Sequence, residues 1–482
     1  MPADLFQSLL SNAWAVILVI LFFGGSIFVH ELGHFLAARW CGLHIERFSI
    51  GFGPAIWSWR GKDGVEYRIS WLPLGGYVAL PQIAAMEAIE GKGAGAVDFS
   101  KLPPASYGAR MLTLVAGAAF NILFALALAC IIWIKGQPTS SPATSTTIGY
   151  VAPTLTLEDG REVPSPAREA GLLPGDRIAA IDGEPVKDWG DVVQGIVTGS
   201  GRTEAGTPVT TFTIVREGTE AAQDITVYPL LAGPDQFRRV GIDSGYELIV
   251  LEVAPGSLAE QAGLAVGDHL LSIDGQRVLN VATYAELLKA DHTAPLAMLV
   301  QRGESVVALT LPPQFSEDPP LGLALTTNFA VEHPTPFAQL AGHARMTWRT
   351  LSSLLNPQSD IGLSKMSGPV GIARVLHSAA QVSFVAVLMF TILINVNLAI
   401  FNLLPIPVLD GGQMLFATIA RLRRRALPSS FVLATQSAFM ILLFGAMLYV
   451  TVFGDIRRLA RDISDKPAAA SQSPEPPSEA SE

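Results

Sequence analysis

His30, Glu31 and His34 are the residues of this chain best spaced to do chemistry. In a helix, positions i and i+4 lie on one face, so His30 and His34 can aim two imidazoles at one metal ion. Glu31, one residue on, can reach a water molecule beside that ion without being a ligand. This H-E-x-x-H pattern is the arrangement of zinc-assisted peptide hydrolysis. The triplet stands in the second half of an apolar stretch, Ala13–Ala38, whose residues Ala13–Val29 carry no charge. As a helix that stretch reaches roughly 39 Å, enough to cross a bilayer. A charged group at the centre of a membrane costs at least ~2.5 kcal/mol, so ionisable residues there demand a functional reason. Polar residues merely satisfied inside a helix bundle would not need this spacing.

A hydrolytic zinc site takes three protein ligands and leaves one position open. The helix supplies no third, because Ala37 and Trp40 occupy the places of the extended His-x-x-Gly-x-x-His pattern. The candidates elsewhere are His44, Glu46, Glu66 and Asp410. His44 and Glu46 fall beyond the helix end, among basic and aromatic residues. Asp410 follows an apolar segment in Asn402-Leu-Leu-Pro405-Ile-Pro407-Val-Leu-Asp410-Gly411-Gly412, where two prolines prevent a regular helix. Irregular backbone beside a membrane is tolerated where it is buried in protein or lines a watery cavity. Depth and side favour Asp410 as the ligand over a solvated Asp-Gly turn.

The elements that must position these residues are mostly membrane helices. Half of the 482 residues are hydrophobic and only 15% are charged, with a mean hydropathy of +0.39, which points to an integral membrane protein with water-exposed parts. Four segments are long and apolar enough to span, at about 13–38, 111–135, 382–404 and 430–453. A net charge of −10 and the lack of a basic segment interleaved with aromatics argue against nucleic acid as a partner. Cys41 and Cys130 form neither a disulfide framework nor a Cys-x-x-Cys metal site. The first fifteen residues contain no Lys or Arg, unlike the start of a cleavable signal peptide, so the first helix is expected to stay. Basic residues from Arg39 to Arg110 and the run Arg421–Arg425 assign both of their loops to the cytoplasm. Both termini and the long 136–381 region are then extracytoplasmic, and the histidines lie toward the cytoplasmic face.

The first cytoplasmic loop alternates apolar Val65, Tyr67, Ile69 and Trp71 with polar residues, the pattern of a half-buried strand. With Ala55–Trp59 it forms a hairpin across Gly61-Lys62-Asp63-Gly64. Gly51–Pro54 and Leu74–Tyr77 then fall at the hairpin's far end, near the membrane. The long region carries an internal repeat. Ser165-Pro-Ala-Arg-Glu-Ala-Gly-Leu-Leu-Pro-Gly-Asp176, then Ile181-Asp-Gly183, returns 92 residues later as Ser257–Asp268, then Ile273-Asp-Gly275. That offset fits two small domains in tandem, and each copy resembles the PDZ domain of bacterial membrane-associated proteases. Their bounds are read as 146–232 and 236–315. Membrane halves at 1–135 and 337–462 flank them, the second opening on an amphipathic helix near Phe337–Leu355. The Ala-, Ser-, Pro- and Glu-rich segment 463–482 is expected to be disordered.

H-E-x-x-H in the first span, N-x-x-P-x-P-x-L-D-G at the third and PDZ repeats between them resemble the site-2 protease family of intramembrane zinc metalloproteases, in its bacterial tandem-PDZ branch. The resemblance covers about residues 13–455. It implies a polytopic α-helical protein of the bacterial inner membrane, with about four transmembrane helices, a membrane-associated β-hairpin and two tandem extracytoplasmic PDZ domains. It implies one zinc ion per chain held by His30, His34 and Asp410, Glu31 as the catalytic base, and Asn402 in contact with substrate or transition state. Gly117 and Asn121 match a second-span motif whose plain reading is tight helix packing. Ala118 stands where many relatives have proline, and the Ala79–Phe99 loop has no recognisable counterpart. The implied substrates are single-span membrane proteins such as anti-sigma factors, or remnant signal peptides, with peptides as possible PDZ ligands. A membrane-anchored PDZ scaffold with a dead site is the alternative, and intact Glu31 argues against it.

Overall fold

The computed structural model describes residues 2–83, 102–219, 221–233, 235–289, 295–312 and 320–458. Most of the 79–99 loop and the 463–482 tail lie outside them. The chain divides into two compact units. One comprises Met1–Lys135, Pro334–Thr347 and Leu363–Glu482, the other Gly136–His333 and Trp348–Gly362.

The first unit holds helices α1 (Pro2–Trp40), α2 (Tyr107–Lys135), the part to Thr347 of α3 (Pro336–Leu355), α4 (Pro369–Val382), α5 (Phe384–Asn402), α6 (Asp410–Leu422) and α7 (Ser429–Tyr449). Among the described residues four stretches are long and apolar enough to cross a membrane, at Ile20–Trp40, Tyr107–Lys135, Phe384–Asn402 and Ser429–Ile456. Leu18, Phe22, Ala125, Leu128, Ile132, Val387, Ile392 and Val396 make the core between α1, α2 and α5. Lipid tails are as apolar as leucine, so close packing and polar pairs must hold such helices together. Gly33 meets α2 so closely that a Cβ there would sit 2.4 Å from the Ala116 carbonyl oxygen. Buried Asn395 of α5 donates to buried Ser26 of α1 at 2.8 Å.

The expected hairpin is part of a more folded sheet. Strands β1 (Arg47–Arg60) and β2 (Glu66–Ala79) pair from Ala55–Arg60 to Glu66–Ser70 across the Gly61–Gly64 turn. Each strand then bends at its glycines and proline, and Arg47–Ile50 acquires two neighbours. Those four residues stand opposite Ala79, Val78, Tyr77 and Gly76 on one side and Glu66, Tyr67, Arg68 and Ile69 on the other. Glu66–Ile69, flanked on both sides, therefore has no free edge, whereas among the described residues Gly76–Ala79 lies at the margin. The anticipated inward apolar face holds beside the Gly61–Gly64 turn, where Val65 is buried, and is reversed farther along the strands. Trp57 and Trp71 are 61% and 70% exposed, and Ile56, Trp59 and Ile69 are exposed with them.

The second unit carries two β-rich halves with separate cores, one around Ile178, Phe212 and Ile214, the other around Leu270, Met298 and Val300. The repeated residues do the same work in both. Ser165 and Ser257 cap the short helices that follow them. Asp176 accepts a bidentate pair from Arg216 at 2.6 and 2.7 Å, and Asp268 accepts one from Arg302 at 2.7 and 2.6 Å. Asp182 and Asp274 both take positive φ, 49° and 46°, in their Asp-Gly turns. Phe237–Arg239 and Ile242–Ser244, assigned on sequence to the second repeat, pair instead with Leu230–Ala232 and Ile148–Val151 of the first. Leu323–Thr326, beyond the bound read on sequence, completes the second sheet against Leu248–Val253. None of these three strands carries a repeat signature, so only pairing assigns them.

Arg238 is fully buried. Its Nε donates to Asp360 at 2.6 Å, and Arg202 donates to the other oxygen of the same carboxylate at 2.6 Å. Burial alone would raise the Asp360 carboxyl, but the two ion pairs outweigh it and hold that carboxyl below the usual range. The folded value being lower than the unfolded one, this clamp contributes fully above the ordinary carboxylate pKa of about 3.9 and is lost as pH falls through the folded value. Asp360→Ala leaves the Arg238 charge buried and uncompensated, and a loss of about 3–5 kcal/mol is expected. Protease susceptibility of residues 136–362 along a urea series reads this. An unchanged midpoint would mean that water reaches Arg238.

Candidate metal centre

Helix α1 sets His30 and His34 one turn apart, with ring centroids 4.7 Å apart and rings nearly perpendicular. Their Nε2 atoms are 3.1 Å from each other. Asp410 Oδ2 lies 3.4 Å from each of them. Among the described residues these three form the one cluster of His, Cys, Asp and Glu able to hold a metal ion. Zinc bonds of about 2.0–2.1 Å in a tetrahedron separate neighbouring ligand atoms by about 3.3–3.4 Å, so the triangle has the right size. Asp410 Oδ2 is also buried without a hydrogen-bond partner, an orphaned oxygen that a cation would satisfy. The donor set, two imidazoles and a carboxylate, suits zinc.

The chain between α5 and α6 delivers Asp410. Residues 403–409 run through tight turns, with Ile406 N–H donating to the Leu404 carbonyl at 2.7 Å and Leu409 N–H to that of Ile406 at 2.9 Å. Helix α6 begins at Asp410 itself. A Cβ at Gly411 would lie 2.3 Å from the Leu403 and Leu404 carbonyl oxygens, and one at Gly412 would lie 2.1 Å from that of Ile406. The two glycines after the aspartate thus let the new helix fold back onto the loop that precedes it.

Helix α2 holds the far side of each imidazole. His34 Nδ1–H donates to the Thr113 carbonyl at 2.7 Å, which leaves Nε2 with its lone pair toward the cluster. The Asn121 amide is 3.3 Å from His30 Nδ1. A ligating Nε2 requires the proton on Nδ1, so the amide must present its oxygen there. Turning it over also gives a partner to Asn121 Oδ1, otherwise buried and unsatisfied. Gly117 lies between these contacts, where a Cβ would be 2.5 Å from His34 Nε2 and 2.7 Å from His30 Cε1. Sequence reasoning read Gly117 and Asn121 as packing. Their i, i+4 spacing put them on one face, but nothing in the sequence identified the imidazoles they face. Asn121→Ala is expected to weaken zinc binding by about 10–100-fold without unfolding the bundle, read as metal retained against a graded chelator. Full retention would mean that His30 needs no such support.

Glu31 points into a cavity of about 620 Å³ that His30, His34, Asp410 and Asn402 also line. Its Cγ lies 3.0 Å from where a Gly76 Cβ would be, and Val78 lines the same cavity. The margin strand Gly76–Ala79 therefore runs beside this carboxylate. Of the other sequence candidates, Glu66 is neutralised by Arg47 and Arg68 at 2.9 Å each, and neither His44 nor Glu46 joins the cluster.

The model of Peptidase family M50 matches residues 18–446. The Regulator of sigma E protease of Salmonella typhi is 31% identical over 479 residues, covering 94% of this chain and all of the relative. The Regulator of sigma-E protease RseP of Escherichia coli strain K12 is 31% identical over 478 residues, with the same coverage. Protease RseP of Yersinia pestis is 30% identical over 478 residues. Among solved structures, the HtrA3 PDZ domain bound to a phage-derived ligand aligns with 14% of this chain and 82% of its own length, at 20% identity and a TM-score of 0.13, too low to carry weight.

Proposed function

The chain belongs to Peptidase family M50, the site-2 protease family, and from that premise we propose that His30, His34 and Asp410 hold one zinc ion per chain and that Glu31 is the base of peptide hydrolysis. The protein is a zinc metalloendopeptidase of the inner membrane, acting in regulated intramembrane proteolysis. The observation that carries the site assignment is the near-equilateral triangle of His30 Nε2, His34 Nε2 and Asp410 Oδ2 beside the Glu31 carboxylate.

The chemistry that zinc supplies when bound is Lewis acidity, which acidifies a water molecule and polarises a peptide carbonyl. The protein's own part is positioning and proton transfer. Glu31 takes the proton of the attacking water on its carboxylate and returns it to the leaving amine nitrogen. The carboxylate lies against the margin strand, its Cγ 3.0 Å from where a Gly76 Cβ would be. Asn402, the last residue of α5, lines the same cavity and is proposed to donate to substrate or transition state.

A helical segment hides its peptide bonds, so the substrate must unwind to be cut. The margin strand Gly76–Ala79 supports its capture as an added strand, because that strand lies beside Glu31 while Glu66–Ile69 has both neighbours filled. The exposed Ile56, Trp57, Trp59, Ile69 and Trp71 support a sheet tip dipped in the bilayer, since tryptophan favours the membrane interface. The basic loops support a cytoplasmic approach of water to the site, with both termini and the 136–362 region outside. That region is proposed to be two PDZ domains, completed by the strands at 237–244 and 323–326, which bind peptides or screen substrates by size. Single-span membrane proteins such as anti-sigma factors are the proposed substrates, in keeping with relatives named regulators of sigma E.

The test is zinc per purified chain and cleavage of a model single-span protein by wild type and Glu31→Gln. Zinc bound without cleavage by the wild type would sink the reading.

A further inference from the structure

The last membrane helix brings two polar side chains, Gln436 and Ser437, to the catalytic cavity that the reaction described above does not use. Helix α7 is apolar over most of its length, and only 11% of its spanning window is buried. The face it turns to the cavity is Leu433, Gln436, Ser437 and Met440, spaced i, i+3, i+4, i+7 as one side of a helix. Thr435 satisfies its hydroxyl on the carbonyl of Phe431 at 2.8 Å. Gln436 has no such local partner among the described residues. A primary amide inside a membrane span is costly unless something pairs with it.

An unwound peptide has two hydrogen-bonding edges. If one lies along Gly76–Ala79, the N–H and C=O groups of the other remain unsatisfied within a bundle of apolar helices, at a cost of several kcal/mol each. An amide is the side chain suited to them, since it offers two donors and an acceptor without charge. We infer that Gln436 is a substrate-binding residue that hydrogen-bonds the backbone of the unwound peptide from α7. The inference rests on the cavity being the peptidase site. It also explains how a helix contributing mainly apolar surface selects extended backbone: Leu433 and Met440 accept apolar side chains, and Gln436 accepts only a segment whose peptide groups are free.

The test uses the full chain in detergent and synthetic single-span peptides in which one backbone amide at a time, around the cleaved bond, is replaced by an ester. Gln436→Met keeps length and volume but removes the amide. It is expected to lower kcat/KM on the all-amide peptide by about fivefold, the worth of one hydrogen bond, with zinc content unchanged. At one ester position the wild type should lose a similar factor and Gln436→Met should lose nothing further, the non-additivity of a direct contact. Equal cleavage by wild type and Gln436→Met would overturn the inference, as would losses that simply multiply at every ester position. Those outcomes, with the wild type active and Glu31→Gln inactive, leave the peptidase site standing. An inactive wild type, or an active Glu31→Gln, would bring down both.

Discussion

Glu31→Gln is expected to retain wild-type zinc while cleavage of a single-span substrate falls by about 10²–10⁴-fold. The substitution is isosteric, so the cavity keeps its shape. None of the three cluster atoms, His30 Nε2, His34 Nε2 and Asp410 Oδ2, is touched. What is lost is a group that can take a proton from water and return it to the amine. The measurement pairs elemental analysis of the purified protein with initial cleavage rates. Cleavage surviving within about threefold of wild type, well short of the loss expected for a general base, would remove Glu31 from the role. Loss of zinc along with activity would show instead that the carboxylate supports the ligands.

Gly117→Ala is expected to be nearly as damaging by a different route. The added methyl carbon would sit 2.5 Å from His34 Nε2 and 2.7 Å from His30 Cε1, closer than real side chains approach. Helix α1 is pinned near the same level by Gly33 against the Ala116 carbonyl and by Ser26 against Asn395, so the helices cannot simply separate. The imidazoles must swing, and the triangle of atoms about 3.3 Å on a side is lost. Zinc affinity should fall by at least ~10–100-fold, the loss seen when supports of metal ligands are removed, and cleavage should fall with it. Gly445→Ala in α7 is the control. Nothing lies within 4 Å of a Cβ there, and alanine favours a helix over glycine by about 1 kcal/mol. Its zinc and activity should match wild type. If Gly117→Ala also matched, the close approach of α2 would have no part in holding the histidines.

By itself the sequence determined what is local or repeated in this protein. A span is legible because its apolar length must match a bilayer, and the H-E-x-x-H spacing because a helix fixes which residues share a face. The repeat is legible because one set of turns and caps recurs. Asp410 was approachable because two prolines beside an apolar segment break its helix. The tertiary structure decided whatever depends on a partner distant in sequence. Gly117 and Asn121 read as helix packing until the His30 and His34 rings lay against them. The Val65–Trp71 alternation suggested one half-buried strand of a hairpin, but pairing set Glu66–Ile69 between two segments and left Gly76–Ala79 beside Glu31. For the same reason the strands at 237–244 moved from the second repeat to the first, and the strand at 323–326, outside both bounds on sequence, joined the second. Periodicity records which way a side chain faces within its own element. Which element stands opposite is set by the packing and hydrogen bonding of the whole chain, and the reactive geometry is built from those oppositions.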